Sequence, residues 1–117
     1  MGAIFVPFSE KVTCIGHFDI CQLIISQVED KNPATIGGFT PLHVAADNGY
    51  LNICKLIIEN VEKKNPKNSC GITPLHCAAK RGHLEICQNI MKKLTWKNPK
   101  SNIGTTPLHL AARYVRF

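Results

Sequence analysis

An all-α fold, a solenoid of stacked antiparallel helix pairs, is what this sequence of 117 residues predicts, and three observations carry the prediction. Thr-Pro-Leu-His occurs at Thr40, Thr73 and Thr106, at a constant spacing of 33 residues. The same period brings Gly38, Gly71 and Gly104 into register, then Asn32-Pro33, Asn65-Pro66 and Asn98-Pro99, and then Gly16, Gly49 and Gly82. Within each period, helix signals alternate with turn signals. Self-similarity at such a spacing marks an array in which one supersecondary unit is stacked on the next.

Each unit opens with a helix start. Thr40 is a good N-cap, and Pro41 suits the first helical position because its missing N–H would be unpaired there anyway. Leu42, Ala45 and Ala46 follow at i, i+3, i+4 spacing on one face, and Gly49 can take the left-handed conformation that ends a helix. A second helix is predicted from Leu51 to about Asn60. There Leu51, Ile53, Cys54, Leu56, Ile57 and Ile58 leave only Asn52, Lys55 and Glu59 as a polar stripe, so the helix has neighbours on more than one side. The stripe recurs as Glu85, Gln88, Asn89 and Lys92 one unit later, and as Asp19, Gln22 and Ser26 one unit earlier. Polar connectors containing Asn-Pro and Gly, such as Val61 to Ile72, reverse the chain before the next Thr-Pro. Helices this short are not stable alone, so the units must stack.

The two ends depart from the pattern. In the first unit Pro7, Phe8, Ser9 and Glu10 stand where Thr-Pro-Leu-His is expected, while GHFDICQLII from Gly16 fits well; this reads as a capping unit or its remnant. The last helix, from Pro107 to about Val115, directs Leu108, Ala111 and Ala112 toward a second helix that these residues do not supply. Leu110, Tyr114, Val115 and Phe117 add apolar surface nearby. Uncovered solenoid ends are sticky, which predicts either a piece of a longer protein or self-association through this end.

The unit G-x-T-P-L-H-x-A-A-x-x-G-x-L-x-I-C resembles the ankyrin repeat, and the resemblance covers nearly the whole chain. It implies a single ankyrin-repeat domain over 1–117, with repeats of about 7–39, 40–72 and 73–105 and a partial repeat 106–117. It also implies connectors that project as hairpin-like fingers, with His43, His76 and His109 hydrogen-bonding within and between units. An Asp frequent at the finger tip in that family is replaced here by Gly37, Cys70 and Ile103. Family members bind other proteins through finger tips and the last turn of the first helix. That surface is carried here by Ile36, Phe39, Asp47 and Asn48, by Ser69, Cys70, Ile72, Lys80 and Arg81, and by Asn102, Ile103, Thr105, Arg113 and Tyr114. Framework positions repeat while these positions vary, as a surface fitted to one partner requires.

Composition and charge narrow the function. Hydrophobic residues make up 44% and charged residues 19%, with no apolar run long enough for a membrane helix. The N-terminus lacks the layout of an export signal, so an intracellular location, cytoplasmic or nuclear, is expected, with all six cysteines reduced. Cys21, Cys54 and Cys87 repeat one position on stacked helices roughly 8–10 Å apart, too far for disulfides or a shared zinc shell. They are expected as small core residues, and no metal or cofactor is expected. The three repeated histidines are framework, Cys77 points away from its neighbour His76, and no phosphate loop or acid–base pair is present, so no enzyme activity is expected.

The net charge of +6 is uneven: residues 1–39 hold two lysines against four carboxylates, residues 73–105 six cations against Glu85. Lys92, Lys93, Lys97 and Lys100 raise the alternative of a nucleic-acid binder, but lysines at helix C-termini also complement the helix dipole. The expected function is a protein–protein interaction module, its partner another protein with an acidic and partly apolar surface. The alternatives are a fragment of a longer ankyrin-containing channel or enzyme, and a basic nucleic-acid-binding module.

Overall fold

The computed structural model describes residues 9–114, with side chains from His17 onward. Pro7 and Phe8 at the head and Val115 and Phe117 at the tail lie outside this range, as does the side chain of Cys14. Six helices run in order: α1 Ser9–Gln27, α2 Pro41–Asn48, α3 Leu51–Asn60, α4 Pro74–Arg81, α5 Leu84–Lys92 and α6 Pro107–Arg113. No strand occurs among the described residues. The helices form two layers, α2, α4 and α6 in one and α1, α3 and α5 in the other, with α2 packed on α3 and α4 on α5 as pairs.

The same short-range chemistry starts each helix of the first layer. Thr40, Thr73 and Thr106 adopt extended N-cap geometry and their hydroxyls accept from the backbone N–H of His43, His76 and His109. The imidazole returns the contact: Nδ1 accepts from the threonine N–H, at 3.2 Å for His43 and 3.1 Å for His76. Histidine thus completes a reciprocal cap in the place usually held by Glu or Gln. Gly49 and Gly82 end the helices at φ 81° and 77°, and the next N–H reaches back to Ala45 and Ala78, closing the C-terminal carbonyls in the way a left-handed cap allows.

Lysine and asparagine of the Lys-Asn-Pro triplets have roles that the period hides. Lys31 donates to the carbonyls of Ile25 and Val28 at the end of α1, Lys64 to those of Ile58 and Val61 after α3, and Lys97 to those of Met91 and Leu94 after α5. Each ammonium caps a helix of the second layer, where carbonyls lack partners and the dipole favours a cation. Asn32 and Asn65 accept from the N–H of Leu42 and Leu75, pinning the connector to the next helix start.

Between the layers lies one core of Leu42, Ala45, Ala46, Ile53, Cys54, Ile57, Ile58, Leu75, Ala78, Ile86 and Ile90. The alanines let helix backbones approach closely, and the isoleucines fill the space behind them. Removing these chains from water is the main stabilising term, about 1.5–3 kcal/mol for each fully buried Leu or Ile.

The first unit differs from the second and third. Gly16 holds the register of Gly49 and Gly82, yet α1 continues through it as one 19-residue helix. No Thr-Pro start precedes it to fix a separate first helix. Among the described residues no separate first-layer helix precedes α1, and Ile20, Leu23 and Ile24 are exposed on it.

Candidate functional site

Three fingers project from the array at residues 35–39, 68–72 and 101–105. In each, the first N–H donates to the last carbonyl at 2.8 Å and a left-handed glycine, Gly38, Gly71 or Gly104, makes the reversal. The side chain at the first position tightens the turn: Asn68 Oδ1 accepts from the N–H of both Cys70 and Ile72 at 2.9 Å. Thr35 and Ser101 do the same for Phe39 and Thr105. The finger thus needs no tip aspartate; the polar residue two places earlier supplies the bond.

Neighbouring fingers are stitched together. The N–H of Ser69 donates to Gly37 O at 2.9 Å, the N–H of Asn102 to Cys70 O at 2.8 Å, and the Asn102 amide to Ser69 O. Below them, His43 Nε2 donates to Ile72 O and His76 Nε2 to Thr105 O, both at 2.8 Å. A carbonyl only accepts, so the imidazoles are the Nε2–H tautomer, with Nδ1 free to accept from the threonine cap. Burial, opposed by these carbonyl bonds, pushes both histidines below their ordinary range; the neighbouring titratable ring of His76 acts in the same direction on His43, and the Lys67 ammonium on His76. They are therefore neutral framework groups.

Fingers and first-layer helices enclose a concave groove of about 410 Å³. Of the residues expected at a partner surface, Phe39, Asp47, Asn48, Cys70, Ile72 and Lys80 line it. The Phe39 ring meets the His43 ring edge-on at 5.7 Å between centroids. Arg81 sits at the rim, its Nε 3.1 Å from Asp47 Oδ1 across two units, and Lys80 lies over the Tyr114 ring at 5.3 Å. Its cations are thus held in place by an ion pair and a cation–π contact.

The other expected residues stand elsewhere. Ile36, Asn102 and Ile103 are exposed on the terminal fingers, Ser69 belongs to the ladder between fingers, and Arg113 is exposed at the end of α6. Thr105 is half-buried and its carbonyl receives His76, which is a framework role.

The groove floor also contains Val44, Cys77 and Leu110, together with Asn68 and the two histidines. Val44, Cys77 and Leu110 occupy one register position, between the repeated His and the repeated Ala. Its variation among apolar types is the signal in the sequence that marks it as groove-facing.

The cysteines divide by environment. Cys54 is fully buried and its thiol is pushed up to about 12 by burial; Cys77 is raised to about 11, by burial first and Asp47 second. Cys87 is raised by burial, and Cys21 packs half-buried against the core. Cys70 is exposed on its finger. Among the described residues no three His, Cys, Asp or Glu side chains converge as metal ligands. Nor is any described helix long and apolar enough to cross a membrane. On the opposite side, Lys97 is committed to helix carbonyls, while Trp96 beside it is exposed.

A family model for ankyrin repeats in three copies matches residues 11–68 and again 59–117. No curated protein matches the chain closely enough to count as a relative. With the three capped Thr-Pro-Leu-His helix starts, the left-handed glycines and the stitched fingers already in place, the match settles the family: this chain belongs to the ankyrin-repeat proteins, a non-catalytic fold that binds other proteins.

Proposed function

We propose that this chain is a protein–protein interaction module whose concave groove receives an acidic, partly apolar segment of another protein. The observation that carries the reading is the groove's composition: Phe39, Val44, Ile72 and Cys77 offer an apolar floor, with Lys80 and Arg81 at its edge. An apolar side chain of the partner enters between the fingers, and carboxylates beside it meet the two cations. Burial of the anchor supplies most of the affinity, while the rim charges act on approach rate and orientation. The exposed apolar face of α6 supports, in addition, self-association through the C-terminal end. Five described cysteines, all free thiols, support a reducing intracellular setting.

The test is capture of a partner from lysate, followed by calorimetry with the purified pair. A Phe39→Ala, Arg81→Glu double variant should bind at least tenfold more weakly, about 1.4 kcal/mol. A partner that binds both proteins equally removes the concave groove from consideration.

A further inference from the structure

We infer that the partner segment lies in the concave groove as a polyproline II helix, with apolar side chains at every third position and a carboxylate beside the one that enters between Ile72 and Cys77. The inference rests on the reading of the groove given above and names the conformation and spacing of what the groove takes.

The groove repeats because the chain does. Phe39 and Ile72 stand one period apart, as do Val44 and Cys77, and all four line it. Each of these two repeats thus offers one apolar notch, between the last residue of its finger and its first-layer helix. Phe39 and Val44 are 47% and 53% exposed, so their notch is open to solvent, and the edge-on contact of Phe39 with His43 holds its ring. Helices α2 and α4 pack directly side by side, which sets equivalent points on them about 8–10 Å apart. Both notches are built from residues 39–77, in the middle of the array.

That spacing discriminates among the regular conformations a peptide can adopt. In a polyproline II helix every third residue falls on the same side and three residues rise about 9.3 Å, so side chains i and i+3 reach neighbouring notches. A β-strand turns alternate residues to one face, at about 6.7 Å for i+2 and about 13 Å for i+4, and straddles the spacing without meeting it. An α-helix meets it at i+7, about 10.5 Å, but two turns of a cylinder about 10 Å across fill on the order of 800 Å³, against about 410 Å³ in the groove. Polyproline II segments also dock in aromatic-lined grooves and, being preformed, have little conformational entropy to lose there, which suits the exposed ring of Phe39.

Charge sets the register. Asp47 and Lys80 occupy one position in successive repeats, and both line the groove. Asp47 is already engaged by Arg81, whereas among the described residues Lys80 makes no ion pair. Lys80 belongs to the repeat of the second notch, the one between Ile72 and Cys77. A carboxylate beside the anchor in that notch therefore meets a cation, while one beside the anchor in the first notch faces another carboxylate. Cys77 is also shorter than Val44, so the second notch takes the larger side chain.

The test is fluorescence anisotropy of the full chain with labelled synthetic peptides that carry two leucines and a glutamate beside each. Three share a proline- and serine-rich background and differ only in the separation of the leucines, by two, three or four positions; a fourth sets them seven apart in an alanine-rich helix. Separation by three should bind about tenfold more tightly than the others, the worth of one buried apolar anchor. Val44→Glu, at an exposed position, closes the first notch and should erase that preference. Lys80→Glu should weaken the glutamate peptide more than its glutamine counterpart. Circular dichroism verifies that both variants remain helical. Equal binding by all four peptides, tightest binding at another separation, a preference that survives Val44→Glu, or equal losses with Lys80→Glu overturns the proposal and leaves the groove reading standing. A chain that binds none of the peptides at millimolar concentration removes the groove reading with it.

Discussion

The second and third repeats and the last, partial one open on the same Thr-Pro-Leu-His motif, yet they do not present the same chemistry. In the middle of the array, Leu75, His76 and Ala78 are enclosed by α2 on one side and α6 on the other. At the end, the corresponding Leu108, His109 and Ala111 are exposed. The difference lies in what is stacked beside each motif. In a solenoid, stability is a sum of weak unit terms and strong interface terms, so a residue's energetic weight follows from its neighbours more than from its identity. Three substitution experiments use matched positions to break or sharpen this comparison.

The largest contrast is between Leu75→Ala and Leu108→Ala. Truncating the buried leucine removes transfer energy and leaves a cavity, an expected loss of about 2–5 kcal/mol. The same change at Leu108, measured where the chain is monomeric, should cost below about 0.5 kcal/mol because the side chain is already in water. Urea denaturation reads both. Equal losses would mean that α6 is covered in solution by something the single chain does not display.

Next comes Gly71→Ala against Gly104→Ala. Both glycines are left-handed, at φ 79° and 87°, so both alanines pay roughly 1–2 kcal/mol of backbone strain. They differ in surroundings. A Cβ on Gly71 would stand 2.7 Å from the backbone nitrogen of Asn102, whereas one on Gly104 meets nothing within 4 Å. Gly71→Ala must therefore push apart the fingers joined by Asn102 N–H and Cys70 O. It should cost more than Gly104→Ala by the worth of one such bond, about 1 kcal/mol. Denaturant midpoints that coincide for the two variants would show that the finger ladder adds no stability.

The comparison also separates what a reader of the sequence can see from what needs coordinates. The Thr-Pro starts, the span Leu51–Asn60 of α3 and the glycine stops are legible because each depends on residues within one turn of the chain. So is the family, since a motif repeated in register leaves few other folds. The passage of α1 through Gly16 is not legible, because glycine permits both a stop and a helical turn and its neighbours decide. The sequence reading places Lys97 among helix-end lysines that complement the dipole, but that Lys31, Lys64 and Lys97 each reach two helix carbonyls needs coordinates. The groove is half legible. Phe39, Ile72 and Lys80 vary visibly between units, but Val44, Cys77 and Leu110 look like core until the helix orientation places them on its floor.

The smallest expected effect concerns acid, and it too divides the middle from the rest. His43 and His76 are held below the ordinary histidine range chiefly by burial, while the unfolded chain titrates near the ordinary value of about 6.5. Above that value both states are neutral and these groups add no slope. Below it the unfolded state binds protons that the folded state refuses, so stability falls with falling pH until the folded histidines themselves protonate. Protonating the ring also turns Nδ1 from acceptor to donor, directly facing the threonine N–H that it caps. The urea midpoint should therefore decline between about pH 6.5 and 5, above the range where most carboxylates titrate. A His43→Gln, His76→Gln variant, weaker at neutral pH for loss of the two carbonyl bonds, should show a flatter profile across that window. If its decline is as steep as that of the unaltered chain, the acid response arises in the terminal units and not in the stitched middle.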